Sequence, residues 1–142
     1  MIDCTVTIAG EDVILLPERA LFWPRTATLF VADLHWGKAA TLRAHSIAIP
    51  EGSTGNDLAR LSQIITRTNA QRLVFLGDLL HARVGRTDTA LAPINDWCKH
   101  HTHLEMLLVR GNHDQHAGDP PDEWGITCVD APVLLSPFSL LH

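Results

Sequence analysis

Charge and cysteine are both scarce in this sequence, and each scarcity closes off a class of protein. Charged residues make up 19% of the 142, and 16 acidic side chains against 11 basic ones leave a formal net charge of −5. That balance argues against wrapping nucleic acid over the whole surface, while leaving room for a local groove whose field is set by bound cations. The three cysteines, Cys4, Cys98 and Cys128, are odd in number and share no CxxC spacing. They read as reduced thiols of a cytosolic protein, not as a disulfide framework or a cysteine zinc site. No apolar run approaches the ~18 residues of a membrane span, and no charged-then-apolar leader follows Met1. The expected location is therefore the cytoplasm, with no membrane partner. Repeats, low-complexity tracts and Gly/Ser linkers are missing as well, so residues 1–142 read as one domain. What the chain does have is a 46% apolar content, enough for one small core, and nine histidines.

The apolar pattern alternates strand and helix. Cys4–Ala9 and Val13–Leu16, parted by Gly10-Glu11-Asp12, read as a hairpin. Thr28–Ala32 is a continuous apolar run, as in a strand buried on both faces. A Pro50-Glu51-Gly52 turn leads to a helix over about Thr54–Thr68, with Leu58, Leu61, Ile64 and Ile65 on one face and Thr54 and Asp57 as a capping box. Arg72–Leu76 is the next strand, Thr87–His100 a second helix with Leu91, Ile94 and Trp97 or Cys98 inward, and Leu104–Val109 a third buried strand. Beyond Gly118 the pieces shorten to Ile126–Val129, Val133–Leu135 and Phe138–Leu141. Alternation over the first 110 residues predicts an α/β fold with a parallel sheet and right-handed crossovers, whose ligands gather at the carboxyl ends of the strands.

Those ends carry the unusual residues. The three buried strands run into Asp33-Leu34-His35, Gly77-Asp78 and Gly111-Asn112-His113-Asp114. Carboxylate, imidazole and amide oxygen together suit a divalent ion such as Mn²⁺, Fe²⁺ or Zn²⁺. In an extended segment, Asp33 and His35 project to one side because side-chain direction repeats every second residue. Gly77 allows a tight turn that presents Asp78 as a bridge between two ions, and Gly111 permits a second sharp turn. Asp-x-His or Gly-Asp alone is common in ordinary turns; the three clusters in order, each ending a strand, point to a metal site.

The ordered set resembles the signature of calcineurin-like metallophosphoesterases. The stretches ADLHWGKAATLRAHSIAIPEG (Ala32–Gly52), LGDLLHARVG (Leu76–Gly85) and VRGNHDQHAGDPPDEWGI (Val109–Ile126) resemble one bacterial subgroup in particular, the ligase-associated metallophosphoesterases of the DNA-damage response, described as endonucleases. The likeness spans roughly residues 20 to 142. It implies a four-layer α/β/β/α sandwich of which this chain supplies the first sheet, its helices and the start of the second sheet. It also implies two divalent ions, Mn²⁺ foremost, with Asp33 and His35 on the first, Asp78 bridging, and Asn112 on the second with His142 as a further candidate ligand. His113 would face the scissile phosphate as transition-state stabiliser or proton donor, and Asp114 would orient and charge its imidazole. The family pattern closes with Gly-His-x-His, which this sequence lacks, so a C-terminal segment is expected to be missing and the isolated chain to bind metal weakly and catalyse poorly.

The activity so implied is hydrolysis of phosphodiesters by a hydroxide activated between two ions, with charge on the phosphorane neutralised by the ions and His113. A DNA substrate and a ligase and a helicase as partners follow from the subgroup alone. Lys38, Arg43, His81 and Arg83 follow the metal motifs closely and are candidates to clamp substrate phosphates, against an ordinary role as solvated surface. Trp36 adjoins the site and is read either as a stacking platform or as core. His100, His101 and His103 close a helix, where exposed carbonyls and the helix dipole suit them; accidental metal capture is the other reading. His116, just past the third cluster, is a candidate to support the ligands. The competing functions are a phosphatase or phosphodiesterase of small nucleotides or other phosphate esters, and a scaffold of the same fold with an incomplete site.

Overall fold

The computed structural model describes residues 2–48 and 53–142, with Ser53 described by its backbone alone. Among the described residues, nine strands and four α-helices follow in chain order: β1 (Cys4–Ile8), β2 (Glu11–Leu16), β3 (Ala20–Trp23), β4 (Thr28–Val31), α1 (Lys38–Ala44), α2 (Ser53–Thr68), β5 (Arg72–Leu76), α3 (Asp88–His100), β6 (Glu105–Val109), α4 (Asn112–Ala117), β7 (Ile126–Val129), β8 (Val133–Leu135) and β9 (Phe138–Leu140). Strands β1 to β7 form one sheet in sequence order, and β8 pairs with β9 in a second. The hairpin, both long helices and the three buried strands thus lie where the apolar pattern puts them. The Pro50-Glu51-Gly52 turn falls outside the described residues.

The sheet is mixed, not parallel throughout. From β1 to β4 neighbours run antiparallel, and only β4, β5, β6 and β7 run parallel. The reason is β3, a four-residue strand too short to show a period, which converts the opening hairpin into a meander feeding β4. β7 also joins this first sheet, at the outer edge beside β6, leaving β8 and β9 to open the second one. Thr54 lies inside α2, which begins at Ser53, so it does not occupy the expected cap position. Thr87 does cap α3, accepting a hydrogen bond from the Ala90 amide at 3.1 Å.

Each parallel strand in turn adds to the same edge, and right-handed crossovers advancing in one direction put their helices on one face. Period two then sorts the strand residues. Leu29, Val31, Leu73, Phe75, Met106 and Leu108 face α2 and α3, whose Leu61, Ile64 and Ile94 are fully buried. Phe30, Val74 and Val109 face the other way, toward Trp23, Leu140 and Phe138. That second face is less completely covered: an apolar groove of about 540 Å³ runs between Val13, Leu15, Phe30, Leu76, Phe138 and Leu140. No helix among the described residues is long and apolar enough to cross a membrane.

Candidate metal centre

The site is made by three loops, of which the first two go on pairing after their strands have ended. Past β4 and β5 the backbone is held by Asp33 N–H to Gly77 O at 3.2 Å, His35 N–H to Asp78 O at 2.9 Å, Trp36 N–H to Leu79 O at 2.7 Å and His81 N–H to Trp36 O at 3.0 Å. The two motifs are thereby zipped side by side. Asp33, His35 and Asp78 all adopt left-handed backbone conformations, with φ of 55°, 49° and 54°. The expectation of an extended Asp-x-His is thus corrected: β4 stops at Val31, and the two side chains flank Leu34, which packs on the core. Such φ values in non-glycine residues cost about 1 kcal/mol or more each, and they persist only where surrounding bonds enforce them.

The third loop is tied to the second by a buried carboxylate. Asp114, 2% exposed, accepts hydrogen bonds from the amides of Asp78 (2.8 Å), Leu79 (3.0 Å) and Gly111 (2.6 Å). This corrects its expected role. Among the described residues its hydrogen bonds are to backbone donors of both loops and none is to His113, so it ties the two loops together. His113 is held by Asp78 instead, through its amide to Oδ1 at 2.9 Å and its ring Nδ1 to Oδ2 at 2.9 Å. Gly111 has ordinary extended φ and ψ (−106°, −172°), so it is not needed for a sharp turn. It is needed for room: a Cβ there would lie 2.7 Å from both Asp78 Oδ1 and His142 Nδ1. At Gly77 (φ 76°) a Cβ would run into the His142 ring at 2.2 Å.

Two groups of potential ligand atoms result, each spanning no more than 4.8 Å: Asp33, His35 and Asp78, and His35, His81 and His113. Oxygen and nitrogen donors in this mixture fit a borderline-to-hard divalent ion. The close approach of imidazoles supports the same reading. His35 Nδ1 lies 3.3 Å from His81 Nδ1, and the His81 ring stacks on His113 with centroids 5.5 Å apart. His81, expected to touch substrate, is thus placed among the potential ligands. The signal lay in the pairing of Trp36 with Leu80, which no single-strand pattern displays. His142, expected with Asn112 on the second ion, has its Nε2 2.8 Å from Asp33 Oδ1 and 3.5 Å from Asp78 Oδ2, on the side of the first group. Asn112 opens α4, exposed, next to His113, with no hydrogen bond to its side chain among the described residues.

Electrostatics follow the packing. Burial alone would raise the Asp78 carboxyl, but hydrogen bonds from the His113 amide and ring, aided by His142, hold it below the ordinary carboxylate value. Burial, with His35, His113 and Lys38 nearby, pushes the His81 imidazole down and favours its neutral, ligand-competent form. His142 moves the opposite way, raised by its hydrogen bond to Asp33. The remaining candidates sit farther out. Lys38 starts α1 and is exposed; Arg43 lies in the last turn of α1, along a separate cleft lined by Thr54 and Thr87. Arg83 turns toward Gly118, at the far end of α4 from His113. Trp36 is 1% exposed and packs edge-on against Phe75, Trp97 and Trp124 at 5.8–6.4 Å, so it is core and not a stacking platform. His100 bonds the Asp96 carbonyl, as suits a helix end, whereas His101 bonds Ser62 Oγ on α2 and so ties the two long helices together. His116 is exposed on α4.

No curated protein matches the chain. The crystal structure of Pseudomonas putida nuclease MPE superposes with a TM-score of 0.89 at 40% sequence identity, over 99% of this chain and 66% of that one. This chain therefore spans just under two thirds of that nuclease's length. The family model described as calcineurin-like phosphoesterase matches residues 26–136, which takes in all three loop clusters and most of the sheet. The chain belongs to the calcineurin-like phosphoesterase family.

Proposed function

We propose that this chain is the metal-binding portion of a metal-dependent phosphodiesterase of the nuclease type, acting on DNA during repair. The observation that carries the reading is the convergence, from three loops, of two groups of potential ligand atoms that share His35: Asp33, His35 and Asp78, and His35, His81 and His113. Asp33, His35 and Asp78, with His142 beside them, would hold a divalent ion, Mn²⁺ foremost, with Asn112 and His81 at hand for a second. When bound, such ions polarise a phosphate oxygen and lower the pKa of water to near neutrality.

The chain's own residues supply the rest. Asp78 is fixed by the His113 amide and by the backbone bonds of its loop, so its carboxylate is oriented before any ligand arrives. The imidazole of His113 is 46% exposed at the mouth of the site, and would donate a hydrogen bond or a proton to the leaving oxygen of the ester. Lys38, close enough to His81 to influence its titration, would take a non-bridging phosphate oxygen. The nuclease neighbour at 40% identity favours a polynucleotide substrate. A ligase and a helicase as partners, and a cytoplasmic setting, are part of the same proposal. Hydrolysis of small nucleotides or other phosphate esters is the second reading, favoured by the acidic overall charge.

The test is Mn²⁺-dependent hydrolysis of a bis-aryl phosphate diester, compared between the wild type and Asp78→Asn. About 100-fold or greater loss is expected in the variant, together with loss of Mn²⁺ binding in an EPR titration, which reads the site even where turnover is slow. Equal Mn²⁺ affinity in the two proteins would overturn the assignment.

A further inference from the structure

The second loop carries more cation than its ligand role requires. Arg83 opens a 3-10 turn at Arg83–Gly85 and Arg86 caps it, and both guanidinium groups reach Gly118, the residue that ends α4. A Cβ placed on Gly118 would lie 3.2 Å from Arg83 Nη2 and 3.2 Å from Arg86 Nη1, so no more than twice that distance separates the two nitrogens. Gly118 itself has a φ of 79°, which favours glycine, and its lack of a side chain leaves the space between them open.

Neither guanidinium forms an ion pair with a carboxylate among the described residues, although the Asp119 carboxylate lies near enough to Arg86 to be held down in part by it. Arg86 Nη1 donates to the carbonyl oxygens of Ala117 (2.9 Å) and Asp119 (2.7 Å), which fixes its plane but neutralises no charge. Arg83 is exposed and forms no hydrogen bond or ion pair among the described residues. The carboxylate of Asp119, the acidic group next along the chain, is taken by both ends of the Arg110 guanidinium at 2.9 Å. Helix termination accounts for Arg86 alone. It leaves unexplained a second, unbonded guanidinium held against the first, an arrangement that like-charge repulsion opposes. Two forks converging on one point, one of them fixed by carbonyls, are suited to a phosphate.

Location turns this into a statement about substrate. α4 has six residues and so is roughly 9 Å long, with Asn112 and His113 at its start and the arginine pair at its end. His81 and Arg83 are likewise two residues apart on one loop. An ester small enough to fill the metal centre does not reach the pair, whereas a polynucleotide strand places another of its phosphates within that span.

We infer that Arg83 and Arg86, converging at Gly118, form a second phosphate subsite that grips the backbone of a polynucleotide one or a few nucleotides away from the bond to be cleaved. The subsite presupposes the phosphodiesterase reading, and a binding experiment separates the two. Anisotropy of a fluorescein-labelled single-stranded oligonucleotide of about twelve nucleotides is followed in EDTA across a salt series, for wild type, Arg83→Gln, Arg86→Gln and Arg25→Gln. Arg25 makes an ion pair with Glu11 just before β4, at the opposite end of the parallel strands. It controls for the loss of one positive charge. Releasing one counterion fewer should lower the slope of log K against log salt by about 0.7, and affinity by about 5-fold at 0.1 M salt, in Arg83→Gln and Arg86→Gln but not in Arg25→Gln. Arg83→Gln removes no intramolecular bond, so it stays informative if Arg86→Gln fails to fold. An unchanged slope in Arg83→Gln, or an equal fall in Arg25→Gln, would overturn the subsite. Neither outcome depends on metal or turnover, which the Asp78→Asn comparison judges separately.

Discussion

The helix-covered face of the sheet and the loop edge at its carboxyl end are built on opposite terms. On the face, Leu61, Ile64, Leu73, Ile94 and Leu108 are fully buried apolar side chains, and their burial is the source of stability. At the edge, three non-glycine residues stand in left-handed conformations, two carboxylates are buried, and three histidines crowd within ligand distance. Most of these features cost free energy in a protein without a ligand. The edge is therefore parasitic on the face: strain is tolerable at Asp33 and Asp78 because the strands leading to them are anchored in a packed core. Stability and chemistry occupy different residues of the same short segments, often only two or three positions apart.

That division makes the consequences of substitution separable. The largest stability effect should come from the face. Leu61→Ala is expected to lower unfolding free energy by about 2–5 kcal/mol in urea denaturation, while the Mn²⁺ affinity of the remaining folded molecules is unchanged. A parallel loss of affinity would mean the two regions are coupled. Asp114→Asn should cross the boundary. It sets an amide NH₂ against backbone donors, so about 2 kcal/mol of stability is expected to disappear, and Mn²⁺ affinity should fall as Asp78 loses its orientation. Retained affinity would show that Asp114 serves the fold alone.

The smallest effect concerns pH, on the face side. His101 is pushed below the ordinary histidine value of 6.5 chiefly by burial, with His103 and His100 adding to it. The folded protein therefore binds fewer protons at this site than the unfolded chain. Its contribution is complete above pH ~6.5 and is lost as pH falls through the lower, folded value. Urea midpoints measured from about pH 8 down to about pH 5.5 should decline, and less steeply in His101→Gln. Identical profiles in the two proteins would remove His101 from the account.

The elements that were legible in advance share a physical feature. β5 spans Arg72–Leu76 and α3 begins one residue after its capping Thr87, because both are long enough, or apolar enough, for period and burial to coincide. β3, α1 and α4 were not legible. They have four, seven and six residues, too few for a period to stand out, and their placement depends on what they pack against. α1, for instance, rests its Thr41 against Gly85 of the second loop.

The sequence by itself determined where the Asp33, Asp78 and Asn112-His113 motifs fall, since each stands directly after an apolar run that forms a buried strand. It also determined the family. The tertiary structure alone decided how those residues divide their work: that Asp114 binds backbone and not His113, that His81 joins the imidazole group, and that His142 lies beside Asp33. The reason is that a strand's own pattern reports its burial, whereas the partner of a loop side chain is set by the register between loops 36 to 109 residues apart in the chain, which no local pattern encodes.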